Sequence, residues 1–122
     1  MPGKLLIFLC DSPFQHESVD QAYEIAQAAL RKGHNVNIYL MMDGVYDPIT
    51  SQNGAPINMR SVSEKFADLM SKGVRITACR VCMEIRGVGE KMLPKGFDVG
   101  GTFDLSEMMS ESDVVINFVE RN

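Results

Sequence analysis

Apolar residues recur along the chain in two alternating rhythms. Residues 4–10 (KLLIFLC) and 36–42 (VNIYLMM) are near-continuous apolar runs of strand length, the mark of strands buried on both faces of a sheet. Asp11-Ser12-Pro13-Phe14 breaks the first run. A helix opening at Ser18, or at His16–Glu17, then sets Val19, Ala22, Tyr23, Ile25, Ala26, Ala29 and Leu30 at helical spacing. Arg31-Lys32 before Gly33 reads as its end, since cations suit the C-terminal dipole and glycine accepts the backbone of a helix stop.

The rhythm repeats after a long loop, residues 43–58, rich in Asp, Gly, Pro and Asn; loops of that length in compact proteins are usually functional or disordered. A second helix opens at Ser61 or Ser63, turns Val62, Phe66, Leu69 and Met70 inward, and ends at Lys72-Gly73. Residues 74–78 form a third strand with Cys79 at its end. Beyond it, 80–87 reads as helix, 97–99 as a short strand, Asp104 as the cap of a helix through Met109, and 113–119 (DVVINFV) as a β-branched closing strand. Alternating strands and helices predict an α/β fold: a three-layer α/β/α sandwich around a mostly parallel five-stranded sheet, because each crossover lays its helix over a sheet face.

Length and charge narrow the function. A chain of 122 residues is one domain, 1–122, with no repeat, linker or low-complexity segment. Twelve Lys and Arg scattered among sixteen acids, for a net charge of −4, offer no basic stripe for nucleic acid. No apolar run approaches the ~20 residues of a membrane span, and the opening MPGK lacks the pattern of an export signal. Three cysteines, an odd number, then point to a reducing, cytoplasmic setting and free thiols.

Ligands of open parallel sheets sit outside the carboxyl ends of the strands. Three such ends carry chemistry here, at 10–14, 42–46 and 79–82. The strongest signal is Cys79-Arg80-Val81-Cys82-Met83-Glu84-Ile85-Arg86-Gly87. A thiolate is the reactive form of cysteine, and a helix start with nearby cations lowers its pKa. The helix end alone supplies only ~0.3–1 kcal/mol, so Arg80 and Arg86 must contribute. On a helix Cys82 and Arg86 share a face with Cys79. Cys79 is then expected to be open to solvent and to alkylate faster at pH 7 than Cys10 or Cys82. The plainer alternative is a small buried hydrophobe at a strand end. A CxxC at such a junction also fits a dithiol redox pair. No cofactor is expected: zinc wants four ligands, the Met residues serve as core filler, and no Gly-rich phosphate cradle follows a strand. Asp43-Gly44 is either a plain turn or part of the wall of a Cys79 pocket. His16 is a weak acid–base candidate.

Taken together, the opening strand LLIFLC, the helix end Arg31-Lys32-Gly33-His34-Asn35-Val36, the strand VNIYLMM running into Asp43-Gly44-Val45-Tyr46, and Lys72-Gly73-Val74-Arg75-Ile76 before Cys79 resemble the DsrE-like sulfur-relay family. The closing helix and strand over 104–118 extend the likeness over nearly the whole chain. The resemblance implies a strand order 4-3-2-1-5 and a homo-oligomer, trimer or hexamer, with its cysteine near subunit contacts. It also implies that the cysteine ahead of an Arg-Gly pair, here Cys79 before Arg86-Gly87, takes up sulfane sulfur as a persulfide and exchanges it with donor and acceptor proteins. Cys82 and Arg86 join Cys79 as expected catalytic residues, with Asp43, Gly44, Tyr46 and Gly87 lining the pocket. Cys82 and Cys10 depart from the simplest pattern of the relay subunits. Two other outcomes stay open: a non-catalytic binding or assembly subunit, and a Cys79/Cys82 dithiol redox protein. Strand order also decides the part of Cys10. A flavodoxin-like order, 2-1-3-4-5, would make the first and third strands neighbours, with Cys10 and Cys79 close enough to bridge. The family order inserts the second strand, ~10 Å between the outer backbones, and brings Met42-Asp43-Gly44 nearer to Cys79 than Cys10.

Overall fold

The computed structural model describes residues 2–119. Its strands are β1 (Lys4–Leu9), β2 (Asn35–Leu40), β3 (Arg75–Cys79), β4 (Asp98–Gly100) and β5 (Val114–Phe118). They form one sheet in the order β4-β3-β2-β1-β5, and every pairing is parallel. The order implied by the resemblance is the one observed, in a sheet wholly rather than mostly parallel. The flavodoxin-like alternative is excluded, because β2 lies between β1 and β3. The apolar runs explain the centre: Leu6, Ile7 and Leu9 of β1 and Ile38, Tyr39 and Leu40 of β2 are fully buried.

Four helices connect the strands: α1 (Ser18–Arg31), α2 (Val62–Ser71), α3 (Arg80–Ile85) and α4 (Thr102–Glu111). From β1 to β4 the chain steps across the sheet in one direction, so right-handed crossovers place the connecting helices on one face. There α1 and α2 pack together, with Tyr23 donating to Asp68 at 2.9 Å and Lys65 pairing with Asp20 at 2.7 Å. The β4-to-β5 crossover runs back the other way, and the same handedness puts α4 on the opposite face, touching β4 and β1. Of α4 only Met108 is buried, so this second layer is thin.

Boundaries differ from the sequence reading where local chemistry intervenes. Ser61, not Ser63, caps α2, accepting from the Glu64 amide at 3.1 Å; Ser63 turns inward and donates to the Pro48 carbonyl at 3.0 Å. Gly101, not Asp104, is the cap residue of α4, and Asp104 reaches back from the third helical position to accept its N–H at 2.8 Å. Asp113 precedes β5, its carboxylate accepting from the Lys4 amide at 2.8 Å. β2 stops at Leu40 because Met42 takes a left-handed backbone (φ 52°) and enters a 3-10 turn, Met42–Tyr46. A second such turn, Ala55–Ile57, gives the long loop a defined path. Among the described residues no helix is long and apolar enough to cross a membrane.

Candidate functional site

A parallel sheet delivers all its strand ends to one edge, and the chain's thiols gather there. Cys79 is the last residue of β3 and the cap of α3, its extended backbone (φ −67°, ψ 120°) turning strand into helix. Cys82 follows one turn later. Both are free thiols, one turn apart at the start of α3. Cys79 is 3% exposed and Cys82 5%. The expected open position of Cys79 is therefore corrected. It lies opposite Gly100 of β4 in register, one strand over from Tyr39, and parts of the chain remote in sequence cover it. Tyr39 stands beside it, donating its hydroxyl proton to the Gly101 carbonyl at 2.8 Å. Burial first, then Cys79, raises the tyrosine's pKa far above its ordinary value.

The end of β2 supplies the other half. The Met42 backbone N–H donates to the Cys82 sulfur at 3.2 Å. Burial pushes the Cys82 thiol up. Against it act the Met42 amide and, more weakly, the Arg86 guanidinium, while the Cys79 thiol adds to the upward shift. Arg86 pairs with Asp43 at 3.0 Å and reaches the Cys82 carbonyl at 3.4 Å. The cation assigned from sequence to Cys79 thus stands with Cys82 and Asp43. Arg80 points to Glu90, 3.5 Å away on the exposed side of the short helix. Gly87, with φ 70°, serves the backbone: it ends α3 and lets the Val88 amide return to the Met83 carbonyl at 2.9 Å.

Gly44 belongs to the neighbouring strand end. A Cβ there would sit 2.3 Å from the Leu9 carbonyl oxygen and 3.4 Å from the Cys10 Cα, so the turn lies directly on the end of β1. The Tyr46 carbonyl accepts from Gln52 at 3.1 Å and helps hold the long loop. Of the residues expected in the pocket, the structure brings Asp43 to the thiol pair through Arg86, places Gly44 against β1, and sets Tyr46 and Gly87 in backbone roles.

Cys10 is half-buried, and its pKa is pushed up to about 11, first by burial and then by Asp11, Cys82 and Asp47. The Asp11 carboxylate accepts from the Ser18 hydroxyl. Asp47 is 0% exposed, and neither carboxyl oxygen has a hydrogen-bond partner. Burial, with Asp11 and Asp43 nearby, lifts its pKa well above the ordinary carboxylate value. Sequence reasoning missed Asp47 and Tyr39. A tyrosine inside an apolar strand was the available signal for the second, since a buried hydroxyl needs a partner. Asp47, in a loop rich in polar residues, gave none.

An all-parallel sheet with free thiols at its carboxyl edge defines an α/β thiol protein. The chain belongs to the DsrE/DsrF-like family, whose model matches residues 3–118. It is 30% identical over 115 residues to an uncharacterized protein of Methanocaldococcus jannaschii, covering 94% of this chain and 99% of that one. A protein of Allochromatium vinosum, provisionally named sulfurtransferase DsrE, is 29% identical over 87 residues, 70% of this chain and 66% of that one. Among solved structures, the ychN protein from E.coli superposes with a TM-score of 0.85 at 24% identity, covering 97% of this chain and all of that one, a likeness of fold.

Proposed function

We propose that this protein is a cytoplasmic sulfur-relay protein that holds sulfane sulfur as a persulfide on Cys79 and passes it to a partner protein. The observation that carries this reading is the position of Cys79, at the carboxyl end of β3 and the start of α3, in a chain of the DsrE/DsrF-like family. Ligands of open parallel sheets collect at that edge. The Cys79 thiolate attacks the outer sulfur of the donor's persulfide, forming a new S–S bond as the donor thiol leaves; transfer to the acceptor repeats the exchange. Burial of Cys79 requires α3 or the segment that covers it to move as partners engage. Exposed apolar side chains flank the thiols, Val81 and Ile85 on α3 and Met42 on the adjoining turn, and give a partner surface to bind.

The test is mass spectrometry of the reduced protein after incubation with a sulfane donor. The expected result is the added mass of one sulfur atom on Cys79, lost in Cys79→Ser. Absence of any adduct on Cys79 overturns the reading and leaves a binding or assembly subunit.

A further inference from the structure

We propose that Cys82 discharges the Cys79 persulfide within the same chain, closing a Cys79–Cys82 disulfide and releasing sulfide. This inference rests on the persulfide reading and assigns Cys82 a step in it.

Three observations carry it. Cys79 caps α3 and Cys82 lies in its first turn, and residues three apart at that spacing are neighbours on one helix face. Both are almost closed to solvent, so an outside thiol reaches Cys79 only after the cover moves, whereas Cys82 needs no such opening. Finally, the Met42 amide donates to the Cys82 sulfur at 3.2 Å and fixes its orientation; burial raises the thiol's pKa, and this amide and the Arg86 guanidinium work against that rise. A bound, oriented nucleophile reacts at an effective concentration far above any dissolved thiol.

The chemistry balances. The Cys82 thiolate attacks Sγ of the Cys79 persulfide; the Cys82–Cys79 S–S bond forms and the bond from Cys79 to the outer sulfur breaks. That sulfur leaves as HS⁻ with the proton it carried. It gains two electrons, one from each cysteine sulfur, and no other reductant takes part. A dissolved thiol then resets the disulfide by exchange.

The competition between partner transfer and internal discharge is read by loading the reduced protein with inorganic polysulfide, removing the excess, and following bound persulfide and released sulfide, with peptide mapping. In the native protein the persulfide on Cys79 is expected to decay as sulfide appears and the Cys79–Cys82 disulfide accumulates. In Cys82→Ser it should outlast the native species by about tenfold or more, a small part of the advantage that orientation provides. Cys82→Ala serves as a second variant, and circular dichroism checks that each is folded. Sulfur on Cys79 with equal lifetimes in native and variant proteins, or decay without the disulfide, overturns this inference alone. No sulfur on Cys79 in any of the proteins overturns it together with the relay reading.

Discussion

The backbone amide of Met42 lies 3.2 Å from the sulfur of Cys82, tying the exit of β2 to the helix that follows β3. The bond uses the left-handed turn at Met42, where β2 leaves the sheet (φ 52°). Arg86 reinforces the same junction through Asp43 at 3.0 Å. Replacing Arg86 with Ala should therefore move the Cys82 thiol further up, because a partly screened cation that favours the thiolate is lost. Thiolate absorbance followed with pH in a Cys10→Ser/Cys79→Ser background should show Cys82 ionising at higher pH in Arg86→Ala, with Arg86→Lys in between. An unchanged Cys82 titration would show that the guanidinium serves only the ion pair with Asp43.

The three thiols should be limited by different things. Cys10 is half-buried with its pKa pushed up to about 11. Its labelling should rise about tenfold per pH unit up to that value, following the thiolate fraction. Cys79 and Cys82 are closed off, so their labelling in the native state waits on opening and should accelerate in mild urea well before global unfolding. Cys79 labelling faster than Cys10 at pH 7 without denaturant would show that the covering segment is open in solution.

Asp47 makes stability depend on pH in an unusual direction for a carboxyl group. Its folded pKa lies well above the ordinary 3.8, so above pH 4 the unfolded chain gives up a proton that the native state keeps. Its contribution to stability is thus full below about pH 4 and falls as pH rises toward the folded pKa. In Asp47→Asn that loss disappears. The melting temperature of the variant relative to the native protein should climb between pH 4 and pH 7; a flat difference would mean that Asp47 ionises in the fold without penalty.

Gly44 fills a space that admits no side chain. Ala at this position would press its methyl group against the Leu9 carbonyl, 2.3 Å away at the end of the interior strand β1. Backbone on that strand cannot easily yield, and overpacking of this kind costs ~1–3 kcal/mol. Chemical denaturation of Gly44→Ala should show a loss in that range, and equal stability would place the turn farther from β1.

Much of this was legible in the sequence, and what escaped it has a common cause. The runs KLLIFLC and VNIYLMM gave the two central strands because burial on both faces leaves no polar alternation to misread. Cys79 at the end of β3 followed from the strand that precedes it. Its burial did not, because Gly100 and Tyr39 come beside it only once the sheet is folded. Arg86 was placed by helical spacing on the Cys79 face, but α3 is too short, at six residues, for that spacing to override the pull of Asp43. Asp47 escaped because polar loop residues are ordinarily solvated, and this one is fully buried.

Self-association should follow from the thin outer layer. Phe103 on α4 is 91% exposed, and Met109 on the same helix and Val114 at the start of β5 are exposed as well. We expect a homo-oligomer, a trimer or hexamer, in which this apolar surface is covered. Sedimentation at micromolar concentration should give a mass at least threefold that of the 13.6 kDa chain. A clean monomer sinks the expectation, and Phe103→Asp should shift the distribution toward smaller species.

Because every strand points the same way, the chain enters the sheet at one rim and leaves it at the other. Gly3 and Lys4 lie at the rim where Gly3 donates to His34 at 2.9 Å, and the thiols lie about 20 Å away, six residues of strand at ~3.3 Å each. Phe118 ends β5 on the thiol rim, its carbonyl accepting from the Cys10 amide at 2.9 Å. A fluorophore or surface tether attached at Gly3 therefore leaves the thiol rim facing outward. The same attachment at Phe118 crowds the approach to the thiols, so immobilised assays of this protein depend on which rim is held.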